Sequence, residues 1–214
     1  MNCLVTAGPT YEPIDQVRRL TNFSSGQLGT RLAGYLAEQG HQVTLLRGEA
    51  AVCTEPPGGV AIETYTTTAD LGARLETRRG GEVQAVFHAA AVADFAAGRV
   101  FRRDEAGELI EVREGKLATR AGEVLLQLVP TPKIIRRLRE WFPKALLVGW
   151  KYEVEDGRAG LLARAAAQLR ECRTDLCVVN GPAWGTGFGL VDREKVSDAG
   201  DDEDLFQLLL NELT

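Results

Sequence analysis

Between Arg18 and Gly29 the chain reads RRLTNFSSGQLG, so two guanidinium groups, an amide, two hydroxyls and two glycines stand together at the start of a helical pattern. Arg18 and Arg19 offer fork donors suited to phosphate or carboxylate oxygens. Ser24 or Ser25 can cap the helix, and Gly26 and Gly29 remove side chains where a phosphate must approach the first-turn amides. The chemistry these residues share is capture of an anion. Each also has a plainer use: a serine cap, a glycine for close packing, arginines on a solvated surface. A Gly-x-x-Gly alone is weak, and the contiguous G-x-G-x-x-G dinucleotide fingerprint is absent. What favours a site is their convergence at one strand-to-helix crossing.

A second cluster lies in VFHAAAVADF. Ala89, Ala90 and Ala91 leave space at the end of an apolar run, where a flat ligand can lie on the backbone, and Asp94 follows as an acceptor for hydroxyls or a ligand for a metal ion. Tight helix-on-sheet packing explains the alanines fairly well. It explains Asp94 less well, because FAAGRV does not continue as a long helix.

The elements that must position these groups follow from hydrophobic periodicity. Apolar runs at 2–7, 42–46, 60–65, 83–89, 145–150 and 176–180 alternate with helical patterns, the signature of a mostly parallel sheet with helices on both faces. One helix places Leu28, Leu32, Tyr35 and Leu36 on a single face and stops at Gly40; others are expected at 68–79, 132–141, 158–171 and 202–213. In such an open α/β sheet the ligand lies beyond the carboxyl ends of the strands. The first crossing, from Gly8 to Ser25, is far longer than the usual connection of about two to six residues, and Pro9 and Pro13 limit its freedom. The segment at about 95–130 differs in texture, with strand-like pieces split by Gly107, Gly115 and Gly122. It is read as an antiparallel arm on a single domain of residues 1–214, either a mobile surface insertion or a flap that makes a dimer contact or closes a site.

Composition bounds the function. At 214 residues and 44% hydrophobic content the chain can bury a core without staples. With 30 acidic against 25 basic residues and a net charge of −5, it has no general basic field for nucleic acid, and any anion must be bound locally. Cys3, Cys53, Cys172 and Cys177 form no C-x-x-C pair, so reduced thiols are expected. The start, MNCLVTAG, has no signal-peptide character, and no run of about eighteen apolar residues occurs. A cytoplasmic protein is expected, without membrane or nucleic-acid partners.

Taken together, VTAGPTYEPIDQVRRLTNFSSGQLG and AAAVADF resemble phosphopantothenate–cysteine ligase, the synthetase domain of coenzyme A biosynthesis that is often fused to a flavin-dependent decarboxylase. The family pattern, T-A-G-x-T-x-E-P-[IL]-D-x-V-R-x-[IL]-[ST]-N-x-S-S-G-x-[ML]-G, is met at nearly every defined position. Weaker similarity continues through GKLATR, LVPTPKII, LLVGWKYEVE and LCVVNG.

The resemblance implies a Rossmann-like fold and a homodimer whose arm from each subunit reaches toward the other's site. It implies that the carboxylate of 4′-phosphopantothenate attacks the α-phosphate of CTP or ATP, with Mg2+ assisting, and that cysteine then takes the acyl group. By motif position, Asn22 and Lys116 are the implied catalytic residues; Arg18, Asn22 and Ala90 the substrate-binding ones. Gly8, Ser24, Ser25, Gly26, Ala91, Asp94, Lys116, Trp150, Lys151, Asn180 and Phe188 are implied for the nucleotide, with Asp94 also for the metal. Phe188, in the loop GPAWGTGFG, either stacks on a ligand or plugs that loop. The sequence departs from the pattern at Ala118 and Thr119, where lysines are usual, at Thr131-Pro132-Lys133 in place of N-P-D, and at Lys151, which is more like the monofunctional and eukaryotic members. A stand-alone form, served by a separate phosphopantothenoylcysteine decarboxylase, is the matching expectation.

Two other readings compete. A nicotinamide-dependent reductase of the short-chain type shares the sheet but needs Tyr-x-x-x-Lys, and none of Tyr11, Tyr35, Tyr65 or Tyr152 has a lysine four residues on. A non-catalytic nucleotide-binding module would keep the fold and lose the reaction.

Overall fold

The computed structural model describes residues 1–53, 57–104, 106–113, 115–117 and 122–213. In chain order the first elements are β1 (Asn2–Ala7), β2 (Tyr11–Pro13), β3 (Arg19–Thr21), α1 (Gln27–Glu38), β4 (Gln42–Gly48), β5 (Val60–Tyr65), α2 (Thr68–Glu76) and β6 (Ala85–His88). There follow β7 (Phe95–Arg103), β8 (Leu109–Val112), β9 (Val124–Pro130), a 3-10 turn (Ile134–Arg136), α3 (Leu138–Trp141), β10 (Leu146–Tyr152), α4 (Gly157–Glu171), β11 (Leu176–Asn180), β12 (Phe188–Val191), β13 (Val196–Ala199) and α5 (Asp202–Asn211).

The six apolar runs all form strands, and they are parallel because each crossover carries helix or long connection back over the sheet. The sheet order is β13-β12-β11-β10-β6-β1-β4-β5. From β1 the chain steps outward to β4 and β5, then returns beside β1 at β6 and proceeds the other way, so the direction of winding reverses between β1 and β6. This is the doubly wound arrangement, and its topological switch point lies between Ala7 and His88. β12 and β13 extend the sheet antiparallel; neither was expected from the sequence.

The central strands bury both faces. Val5, Ala7, Phe87, Val148 and Val178 meet Leu32 and Leu36 of α1 and Leu205 and Leu209 of α5. On the opposite face Leu4, Leu46, Val86 and Leu147 meet Leu71, Leu75 and Leu138, while Cys177 and Val179 meet Leu161 and Leu169 of α4. The helix expected at 132–141 is instead a 3-10 turn followed by one short α-turn, burying Ile134, Leu138 and Trp141.

The arm is antiparallel as expected, a separate three-stranded sheet ordered β8-β7-β9. The long first crossing is also ordered. Its β2–β3 hairpin is pinned at several points: Glu12 accepts from the Thr68 amide at 2.9 Å, Thr21 Oγ1 donates to the Thr10 carbonyl, and Thr10 Oγ1 accepts from the Ala93 amide at 2.8 Å. A carboxylate at the first amide of α2 also complements the helix dipole. Among the described residues no helix is long and apolar enough to cross a membrane, and all four cysteines are free.

Candidate active site at the switch point

Three glycines meet where β1 ends. Gly8 turns the chain with φ +84°, and a Cβ there would stand 2.8 Å from Ala51 Cβ. Gly26 has φ +76°, and its added Cβ would stand 3.2 Å from Gly8 Cα. On the first turn of α1, a Cβ on Gly29 would meet Ala7 Cβ at 2.7 Å, so glycine sets the approach of helix to strand. A tight turn, a close backbone approach and close helix–strand contact are the three tasks of the dinucleotide fingerprint glycines. The fingerprint is thus assembled in space, with the hairpin inserted between its first and second members. Spacing alone hid it.

Gly26 is the N-cap of α1, and no side chain caps the helix. The expected serine cap is not formed, because Ser25 lies one position early; its Oγ accepts from the Gln27 amide at 3.2 Å. The amides that follow Gln27 in the first turn of α1 have no side-chain cap, which suits an anion. Ser24 is half-buried and Ser25 exposed beside it.

The end of β6 is stitched across to this crossing. Ala91 donates to the Gly8 carbonyl at 3.0 Å, and the Thr10 amide donates to Ala91. The Tyr65 hydroxyl, fully buried, reaches the carbonyls of Ala7 and Gly8 at 2.9 and 2.8 Å; burial pushes its ionisation well above the ordinary tyrosine range. Asn22 Nδ2 donates to the carbonyls of Val92 and Ala91 at 3.2 and 3.4 Å, so its exposed amide is aimed by backbone rather than by core packing. Asn22, Gly8, Gly26, Ser24, Ser25 and Ala91 are in this way brought together.

On the α1 and α5 face, Trp150 and Phe188 pack half-buried against the core. Phe188 begins β12 rather than lying in a loop, and the antiparallel register that pairs Val179 with Gly189 sets it beside Asn180. Trp150 Nε1 and Asn180 Oδ1 are both buried without a hydrogen-bond partner among the described residues. One is a donor and the other an acceptor, on adjacent strands. Such orphan atoms are rare in a finished interior.

Lys151 points to the opposite face, near Cys172 and Cys177, whose thiols burial pushes up, that of Cys177 to about 12. There it lines a cavity of about 490 Å3 together with Ala90, Asp94 and His88. The structure therefore separates Lys151 from Asn180, while Trp150, its neighbour in β10, also contributes to the cavity lining. His88 is buried, and its Nδ1 lies 2.9 Å from Thr6 Oγ1. Thr6 Oγ1 also accepts from the Ala90 amide, so the hydroxyl joins the ring to the end of β6. Sequence reasoning missed His88; a polar residue closing an apolar run was the available signal.

Asp94 is ion-paired with Lys133, the residue that stands where the N-P-D pattern has an acid. Among the described residues no group of three His, Cys, Asp or Glu side chains could hold a metal ion. This donor set builds no resident metal site, and a cation brought in by nucleotide phosphates needs only one or two protein carboxylates.

Arg18 and Lys116 stand apart from the glycine cluster, at the hairpin tip. Arg18 pairs with Asp15 at 2.7 Å and donates to the Leu117 carbonyl at 3.1 Å. The Gln16 amide donates to Gly115 at 3.0 Å, so the residues flanking Lys116 are clasped by the hairpin, with Lys116 itself exposed. Asn22 lies past the other end of β3, about four strand residues or 13 Å from Arg18. Ala118 and Thr119 lie outside the described residues.

Comparison with known proteins accords with this geometry. Residues 1–205 match the family model of the DNA/pantothenate metabolism flavoprotein C-terminal domain. The chain is 34% identical over 177 residues to the coenzyme A biosynthesis bifunctional protein CoaBC of Thermococcus kodakarensis, covering 83% of this chain and 40% of that protein. It thus spans less than half the length of that relative. The crystal structure of the DNA/pantothenate metabolism flavoprotein from Streptococcus pneumoniae superposes with a TM-score of 0.87 and 28% identity, covering 100% of this chain and 98% of the other. The C-terminal domain of a CoaBC bifunctional protein does so at 0.75 and 25%, covering 99% and 93%. The chain belongs to the DNA/pantothenate metabolism flavoprotein C-terminal domain family.

Proposed function

We propose that this chain is a phosphopantothenate–cysteine ligase, which activates 4′-phosphopantothenate with a nucleoside triphosphate and joins it to cysteine. The observation that carries this reading is the pair of buried orphan atoms, Trp150 Nε1 and Asn180 Oδ1, on the same sheet face as the uncapped start of α1. Cytosine and adenine each place a ring nitrogen acceptor beside an exocyclic amine donor, which supplies one partner for each orphan. β10 lies two strands from β1, about 10 Å away, a span that a nucleotide bridges with its phosphates at the amides of Ser24, Ser25 and Gly26. Phe188 and Ala91 flank that path. CTP and ATP both fit the orphan pair.

In the first step a carboxylate oxygen of the acid attacks the α-phosphorus, an acyl-nucleotidylate forms and pyrophosphate leaves. In the second the cysteine amine attacks the acyl carbon, the amide forms and the nucleoside monophosphate leaves. Asn22 has a long bond to Ala91, and the hydrogen engaged there is available to the acyl oxygen. The start of α1 takes up the developing phosphate charge without introducing a second acid. Mg2+ accompanies the nucleotide, with Asp94 as the nearby carboxylate once Lys133 releases it.

Exposed Phe95, Leu109, Ile110, Val124 and Leu128 line the arm. They support a homodimer in which Lys116 and Arg18, held together at the hairpin tip, serve the partner's crossing. The product is the substrate of a phosphopantothenoylcysteine decarboxylase, which is the natural partner. Membership in the family leaves no support for the nicotinamide reductase.

Calorimetric titration with CTP and with ATP, followed by pyrophosphate release in the presence of 4′-phosphopantothenate and cysteine, tests the reading. Nucleotide binding without acid-dependent pyrophosphate release favours the non-catalytic module instead.

A further inference from the structure

The stretch from Ala90 to Ala93, just past β6, lies outside the named strands and helices, yet every one of its amides is taken. Ala90 donates to Thr6 Oγ1 at 3.2 Å, Ala91 to the Gly8 carbonyl at 3.0 Å, Val92 to the Ala90 carbonyl at 3.1 Å and Ala93 to Thr10 Oγ1 at 2.8 Å. Side-chain hydroxyls thus fix both ends of a segment that has no ladder of its own. Its carbonyls at Ala91 and Val92 are the ones that receive the Asn22 amide.

Thr10 stands on both sides of that contact. It is fully buried, and the hydroxyl that holds the Ala93 amide also lies 3.2 Å from Thr68 Oγ1. Its own amide donates to the Ala91 carbonyl at 3.2 Å, the same oxygen that accepts from Asn22. Its carbonyl accepts from Thr21 Oγ1 at 2.9 Å, and Thr21 is the residue before Asn22. The β2–β3 register sets Tyr11 opposite Thr21, so one further step sets Thr10 opposite Asn22. A single buried residue therefore ties down both the chain that carries Asn22 and the carbonyls that aim it. Packing alone does not call for a hydroxyl there: valine has nearly the same shape, and a buried hydroxyl is costly unless it is bonded.

We propose that Thr10 is a positioning residue, which through its hydroxyl sets where the Asn22 amide points. The proposal rests on the ligase reading for what Asn22 then does. Asn22 is exposed, so core packing does not select its rotamer. A donor left free to wander is a poor one, because a misplacement of about 1 Å at a reacting centre can cost about a hundredfold in rate. Removing the Thr10 hydroxyl leaves the amide of Ala93, a residue only 3% exposed, without its partner. Residues 91–93 then shift to pair that amide again, and the two carbonyls that hold Asn22 shift with them.

The test is a double-mutant cycle between Thr10→Val and Asn22→Ala, with Thr10→Ser as the conservative variant. It is read by acid-dependent pyrophosphate release, by thermal melting and by the NMR signals of the Asn22 side-chain amide in the protein without substrates. Thr10→Val is expected to lower kcat about tenfold while KM for the nucleotide stays within about twofold of the parent. It also moves the Asn22 Nδ2 signals toward those of a free amide, and Thr10→Ser restores both rate and signals. In the Asn22→Ala background Thr10→Val lowers kcat no further, although it lowers the melting temperature in either background, a separation that a merely structural role does not produce. The same loss of kcat in both backgrounds, or Asn22 signals unaltered by Thr10→Val, overturns the proposal. If the signals move and Thr10→Ser restores them while the parent releases no acid-dependent pyrophosphate, the ligase reading fails and the positioning of Asn22 by Thr10 stands.

Discussion

The carboxylate of Asp15 accepts a hydrogen bond from the amide of Leu117 at 3.1 Å, closing a contact between residues 102 positions apart. The same carboxylate accepts from the amides of Val17 and Arg18 and from the Arg18 guanidinium, and its side chain is only 2% exposed. Four donors hold it charged: the bond from Leu117, followed by those from Val17 and Arg18, lowers its pKa to about 2. A carboxylate depressed in the folded state stabilises above its unfolded pKa of about 4, and that contribution fades as pH falls through about 2. The clasp is therefore intact throughout the neutral range. Asp15→Ala is expected to release residues 115–117, raising amide exchange at Gln16 and Leu117 about tenfold or more. It should also slow nucleotidyl transfer as much as Lys116→Gln does. If exchange rises while transfer is unaffected, the clasp positions nothing that the reaction uses.

Asn22 makes the opposite kind of contact. Its side chain is exposed and touches only the carbonyls of Ala91 and Val92, so truncation leaves the core unchanged. Asn22→Ala is expected to lower turnover by about a hundredfold or more, the usual penalty for losing one oxyanion donor, with stability within about 0.5 kcal/mol of the parent. Parallel kinetics and thermal melts check this. Comparable losses in rate and melting temperature would make Asn22 a structural tie.

The glycines offer a sharper contrast between packing and site. Gly29→Ala puts a methyl 2.7 Å from Ala7 Cβ and 3.3 Å from the Thr6 carbonyl, neither of which can move without β1. Overpacking of this kind costs about 1–3 kcal/mol, and here it tilts the first turn of α1 away from the crossing. Nucleotide affinity should fall together with the melting temperature. Gly72→Ala, in mid-helix α2 with nothing within 4 Å of the added methyl, is expected to stabilise by about 0.5–1 kcal/mol and leave nucleotide binding untouched. Should both variants behave alike, Gly29 has no special role at the helix–strand contact.

These residues also show what the sequence could convey. The parallel strands were legible because burial on both faces makes them continuous apolar runs, and β1 came out residue for residue. The hairpin inside the first crossing was not, since two three-residue strands with one buried residue between them leave no periodicity to detect. Its length pointed to a site, but Glu12 and Asp15 turn out to tie the hairpin to α2 and the arm. The serine cap failed for a local reason: a glycine in the left-handed region ends the loop one residue later. Lys151 was legible as a departure from the family pattern, yet only the pleat decides which face of the sheet it serves.

His88 carries the last prediction. It is 5% exposed, and burial pushes its pKa down to about 4, so the ring stays neutral at neutral pH, with Nδ1 hydrogen-bonded to Thr6 Oγ1. In the unfolded chain the ring titrates near 6.5. Between those two values the unfolded state takes up a proton that the folded state refuses, so stability is full above about pH 6.5 and declines as pH falls toward 4. The span corresponds to a loss of about 3 kcal/mol at its acid limit. Carboxylates contribute below pH 5, so the informative quantity is the difference between the parent and His88→Gln, in which the amide can still accept from the Thr6 hydroxyl but cannot titrate. Urea unfolding at intervals from pH 7.5 to 4.5 should show the parent losing ground to the variant by 1 kcal/mol or more per pH unit near the middle of the window. Parallel curves would mean that His88 is already charged in the folded state, and that the Thr6 contact runs with the proton on Nδ1.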